Sequence, residues 1–198
     1  MSTAAVIAGS QGLWLVSRAS GLALLILFSV VTVLGVAGRL GSAPRWLGRL
    51  AVTEVHRTLA LFSVAFLGLH VVTALLDPYV SIGWAATVLP FLSGYRTLAI
   101  GLGTLAVVAF GAVLITSLAR ARLGYRAWRA VHWLAYLAWP VAFLHSLTAG
   151  NDLGIWWVAL IEWSCALAAG TAVAARLLAI LRDSAGRSPR ADTGRVIP

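Results

Sequence analysis

Four histidines are the residues of this 198-residue chain best suited to chemistry, and they fall into two segments. His56 and His70 lie fourteen residues apart in EVHRTLALFSVAFLGLHVVTALLD, Glu54 to Asp77. His132 and His145 lie thirteen apart in RAVHWLAYLAWPVAFLHSL, Arg129 to Leu147. An imidazole can hold a proton, a metal ion or haem iron, and position decides which. At about 100° per residue, fourteen residues return within roughly 40° of the starting helix face, so His56 and His70 share one. Thirteen leave a residual of roughly 140°. His132 and His145 therefore share a face only if their helix is distorted between them, and Pro140 supplies a reason for distortion.

Depth is the second test. One further apolar span separates the two segments, so they run parallel. His56 adjoins Arg57 and His132 follows Arg129 by three residues, which puts both near one membrane edge. His70 precedes Asp77 by seven residues and His145 precedes Asp152 by seven, which puts both at a similar depth below the other edge. The reading predicts two level pairs, His56 with His132 and His70 with His145, separated by roughly 20 Å of helix rise. One metal ion cannot collect all four. Two imidazoles are too few for a structural zinc site, which takes four ligands, but they complete haem iron, whose other four ligands come from the porphyrin. The expectation is two haems, His56/His132 inner and His70/His145 outer, forming an electron path across the bilayer. Arg57, Arg126 and Arg129 are candidate propionate partners at the inner level. Arg18 and Arg96, with Tyr95 beside the latter, are the outer candidates, Arg18 first because an arginine inside a span is expensive without a partner.

The elements that must position these residues are membrane helices. The chain is 61% hydrophobic, and five runs near 14–37, 55–76, 97–119, 130–148 and 154–181 are long enough to cross about 30 Å of hydrocarbon. The fold class expected is an all-α integral membrane protein, a five-helix transmembrane bundle. Residues 1–13 read as a short external N-terminus, 14–181 as the haem-binding domain and 182–198 as a disordered cytoplasmic tail. A net charge of +9 is carried by arginine alone, since the chain has no lysine. The arginines sort by loop: Arg39, Arg45 and Arg49 between spans one and two, Arg120, Arg122, Arg126 and Arg129 between three and four, and Arg182, Arg187, Arg190 and Arg195 in the tail. By the positive-inside bias these are cytoplasmic, the N-terminus is outside, the C-terminus is inside, and nucleic-acid binding is unsupported. The cell membrane, multi-pass, is the expected location, with lipid as the surrounding partner.

The connection 77–96 contains SIGWAATVLPF, too short to cross, and reads as an interfacial or re-entrant piece over the outer end of the bundle. Glycines 101, 103 and 111 in span three read as sites of close packing or as room for a flat ligand. Cys165, the single cysteine, reads as a small buried apolar residue. Glu162 lies inside span five, where a carboxylate is costly and is a site hypothesis by default. No GxGxxG follows a strand pattern.

The pattern H-x13-H at His56/His70, H-x12-H at His132/His145, one intervening span and Arg18 in SRASG resembles the ferric reductase-like transmembrane domain family. That family includes ferric reductases, the membrane part of NADPH oxidases and the haem subunit of the bacterial methionine sulfoxide reductase system. The resemblance covers about residues 14–181. It implies b-type haem at two levels, the four histidines as axial ligands, Arg18 near the outer haem, and electrons accepted on the cytoplasmic side from a flavin-containing module. A sequence ending after the fifth span is similar to the stand-alone membrane subunits, with a separate flavin-containing reductase or a quinol as donor and an unassigned acceptor at the outer face. A methionine-sulfoxide-repair type of subunit would bind FMN or a quinone as well. The competing reading is a small membrane transporter or scaffold whose histidines bind protons or metal ions without haem.

Overall fold

The computed structural model describes residues 3–42, 48–78, 80, 82–150 and 154–185. It is all-helical among the described residues: α1 Thr3–Leu40, α2 Arg49–Leu76, a 3₁₀ turn Trp84–Thr87, α3 Thr97–Leu118, α4 Arg120–His132, α5 Leu134–Ala149 and α6 Trp156–Ala185. Four of these have the length and apolar composition to cross a membrane, and α4 with α5 makes a fifth if the pair is counted as one bent span. The chain is a multi-pass membrane protein.

Several boundaries differ from the sequence expectation. Helix α1 begins at Thr3 rather than Trp14, and α2 begins at Arg49 rather than 55, because nothing in TAAVIAGSQG or RLAVTE breaks a helix. Helix α6 runs past Leu181 to Ala185, so the first residues assigned to a tail are helical. The loop residues Pro44, Arg45 and Trp46, Asp152, and the arginines 187, 190 and 195 lie outside the described residues.

The largest correction concerns span four. The helix expected over 130–148 is two helices, α4 and α5, meeting at Trp133 with a bend of 42°. Helix α5 continues through Pro140. The distortion that lets His132 and His145 face the same way thus falls at Trp133. Helix α4 itself turns at Gly124, where φ is 74°, a left-handed value glycine adopts without steric cost.

Helix α1 packs along α2 and α6, and α3 packs along α5. Helix α2, which carries His56 and His70, packs chiefly on α1, whereas α5, which carries His145, packs chiefly on α3, and His132 ends α4. The core lies midway between the histidine levels and comprises Leu24, Leu25 and Phe28 of α1, Trp139 of α5, and Cys165 and Ala169 of α6. Phe28 meets Phe110 of α3 at 4.6 Å between ring centroids, and the Trp139 indole donates to Ser29 Oγ at 3.0 Å. The many exposed leucines, valines and tryptophans on the outer faces are what a lipid-facing surface requires.

Within the 77–96 connection the 3₁₀ turn packs against α3. Thr104 Oγ1 of α3 donates to the Ala86 carbonyl at 2.6 Å, fixing the 3₁₀ turn. Phe91, at φ 64°, lays its ring on Gly101 so closely that a Cβ there would collide with it.

Candidate cofactor site

The structure brings the four histidines together as two pairs at two levels. His56 and His132 have ring centroids 6.5 Å apart with planes at 63°, and His70 and His145 have centroids 6.2 Å apart with planes at 80°. Two metal–imidazole bonds of about 2 Å, plus about 1 Å from each nitrogen to its ring centre, put two axial imidazoles about 6 Å apart. Both pairs match the separation needed to ligate one metal centre from opposite sides.

Three of the four imidazoles are held in the same way. His56 Nδ1 donates to the Val31 carbonyl at 2.9 Å, His70 Nδ1 to Ser17 at 2.8 Å and His145 Nδ1 to Ala99 at 2.7 Å. A carbonyl only accepts, so each Nδ1 carries the proton and each Nε2 keeps its lone pair for a ligand. Each acceptor lies one turn before a glycine: Val31 before Gly35, Ser17 before Gly21, Ala99 before Gly103. The reason is steric. An imidazole reaching that carbonyl must pass over the Cα one turn on, and a Cβ there would meet the ring at 3.2 Å for Gly35, 3.0 Å for Gly21 and 2.7 Å for Gly103. Gly103 therefore makes room for a ring, and Gly101 for another, whereas Gly111 has open space around it.

The fourth, His132, has no such seat. Its Nδ1 is buried with no hydrogen-bond partner among the described residues. The ring instead stacks on Trp128, with centroids 4.9 Å apart and planes at 30°.

A cavity of about 690 Å³ opens beside the His70/His145 pair, within the range that holds a ligand of cofactor size. His70, His145, Gly21, Gly103, Arg18 and Arg96 line it. Arg96 donates to the Ala149 carbonyl at 3.0 Å and to Thr148 at 3.3 Å. The Arg18 guanidinium lies against Gly150, where a Cβ would meet it at 2.7 Å. Both cations thus converge on the C-terminus of α5, where a helix dipole is negative. Of the inner cationic candidates, Arg57 is exposed on α2, and Arg126 and Arg129 border a shallow surface hollow with Tyr125 and Trp133. Among the described residues no hydrogen bond or ring contact joins these three to the imidazoles of His56 and His132.

Glu162 is 3% exposed; its Oε1 accepts from Ser146 at 2.6 Å, and its Oε2 is buried without a partner among the described residues. Among the described residues no group of three or more His, Cys, Asp or Glu is arranged to hold a metal ion. Two facing imidazoles at each level, at 6.5 and 6.2 Å, fit a centre that brings most of its own ligands, as haem does.

The glycine seats were not singled out as a set by the sequence reading. A signal for them exists: Gly21 and Gly35 repeat the fourteen-residue spacing of His56 and His70.

Comparison with known families finds that the sequence model described as ferric reductase like transmembrane component matches residues 20–143, more than half of the chain. The matched stretch includes His56, His70 and His132 and stops two residues before His145. No curated protein and no solved structure matches the chain.

Proposed function

The chain belongs to the ferric reductase-like transmembrane family, and from that premise we propose that it is a membrane electron-transfer subunit with two b-type haem sites. His56 and His132 would hold the haem on the cytoplasmic side, His70 and His145 the one on the outer side. The observation that carries this reading is the repeated imidazole separation, 6.5 and 6.2 Å, between side chains whose helices pack chiefly on other neighbours. A haem held by each pair of imidazoles would supply one-electron chemistry.

The chain's own residues do the rest. The backbone carbonyls of Val31, Ser17 and Ala99 fix the tautomer and the ring plane of three ligands. Arg18 and Arg96 place positive charge at the outer cavity, suited to an acidic substituent. Phe28, Phe110 and Trp139 pack in the space between the levels. Arg39, whose guanidinium donates to Tyr125 of α4 at 3.3 Å, lies with the arginines of α4 at the end that carries His56 and His132, which supports that end as cytoplasmic, with the N-terminus outside. Electrons would enter there from a separate flavin-containing reductase or a quinol and leave toward an acceptor at the outer face. The cell membrane is the proposed location, residues 14–181 the working domain.

Purified protein in liposomes loaded with ferricyanide is the test. A membrane-impermeant reductant added outside should bleach the trapped ferricyanide faster than in protein-free liposomes. Equal rates, with no low-spin haem bands in the reduced-minus-oxidised spectrum, would contradict the proposal.

A further inference from the structure

The three seated histidines define where the seat of the fourth should be. Helix α3 runs antiparallel to α5, and Ala99 with Gly103 receives His145. His132 precedes His145 by thirteen residues, so its seat should fall thirteen or fourteen residues further along α3. The acceptor would be the carbonyl of Ala112 or Val113, and the bare position Thr116 or Ser117. Neither of the latter is glycine. The Thr116 hydroxyl donates to both carbonyls, at 2.7 Å to Ala112 and 3.2 Å to Val113. A side chain therefore stands where the other sites leave the backbone open, and His132 Nδ1 is left buried and unpartnered among the described residues.

Ser117, the other residue at that register, does something else. Its Oγ accepts from Trp128 Nε1 at 3.2 Å, and Trp128 is the ring on which His132 stacks. The Arg120 guanidinium lies over the same indole, 4.3 Å from its centre. Trp128 and His132 are one helical turn apart on α4, just before the bend at Trp133, so the stack fixes the ring relative to its own helix while the indole ties that helix to α3.

We infer that Trp128 is the positioning residue for His132: hung from Ser117 and stacked on the imidazole, it takes the part that a carbonyl and a glycine play at the other three ligands. Arg120 rests on the indole and restrains it further. This rests on the di-haem reading above, and the experiment separates the two.

Full-length protein and the variants Trp128→Ala, Trp128→Phe and Ser117→Ala are purified with haem b supplied during expression. Haem per chain, low-temperature EPR of each low-spin signal and a redox titration are then measured. His132→Ala and His145→Ala identify which signal is inner and which outer. Trp128→Ala should weaken retention of the inner haem by roughly tenfold or more, the usual cost of losing a group that orients a metal ligand. It should also move the inner EPR signal and leave the outer one in place. Trp128→Phe, which keeps a ring to stack on, should retain the inner haem. Ser117→Ala should shift the inner signal without loss of haem, and it carries the test if Trp128→Ala does not accumulate. Inner signals unchanged in Trp128→Ala and Ser117→Ala, or inner and outer signals displaced equally, would overturn the inference while leaving two haems per chain standing. Wild-type protein without haem would overturn the di-haem reading and this inference together.

Discussion

The two imidazole pairs are similar in separation and different in construction. At the outer pair both rings are anchored by the backbone of a neighbouring helix, each donating to a carbonyl and lying over a glycine. At the inner pair only His56 is held so, while His132 ends α4 at a 42° bend and depends on Trp128. A carbonyl in the middle of a helix moves only with that helix. A stacked side chain can change rotamer. The same ligand type can thus be presented rigidly at one membrane face and more adjustably at the other, with no change in the spacing that a sequence displays.

The largest effects should come from the ligands themselves. His70→Ala or His145→Ala should remove the outer haem and spare the inner one, halving haem per chain. Loss of both haems in equal measure from either variant would show that the pairs are not independent sites.

Substitution of the seats should rank by the space available. Gly103→Ala places a Cβ 2.7 Å from His145 and should reduce outer haem retention by roughly tenfold or more. Gly21→Ala, at 3.0 Å from His70, should do less, and Gly35→Ala, at 3.2 Å from His56, less again. Gly111→Ala meets nothing within 4 Å and serves as the neutral member of the series. Haem content of the four variants checks the order, and a flat series would mean that the glycines do not seat the rings.

A smaller effect is expected from charge. Arg18→Ala should lower the midpoint potential of the outer haem by about 30–60 mV, on the order of 1 kcal/mol for a one-electron couple, and move the inner potential less. An unchanged redox titration would remove Arg18 from the outer site. Smallest of all, Thr116→Gly should free the Ala112 and Val113 carbonyls and draw the inner EPR signal toward the outer one. No movement would mean that His132 cannot reach that backbone.

The level pairing was legible in the sequence because depth follows distance from flanking charges: His70 and His145 each lie seven residues from an aspartate, and His56 and His132 each lie within three of an arginine. The position of the bend was not. Pro140 is the conspicuous breaker, yet α5 runs through it, whereas Trp133, a residue without special backbone preference, ends α4. Tertiary packing overrode local propensity there. The seats were hidden for another reason: each joins a histidine on one helix to a carbonyl and a glycine on another, and register between helices is not written in either one. The cationic side chains were half legible. Arg18 and Arg96 line the cavity beside His70 and His145, whereas Arg57, Arg126 and Arg129 make no hydrogen bond to His56 or His132 among the described residues, and flanking charge alone cannot separate a cofactor partner from a membrane anchor.

The most direct measurement is the number of haem groups per polypeptide in the purified protein, together with the spectrum of each. The account predicts two b-type haems per chain, both low-spin and both with paired imidazole ligands. A chain that folds in the membrane with no haem, or with one haem that survives in all four single histidine variants, would contradict it.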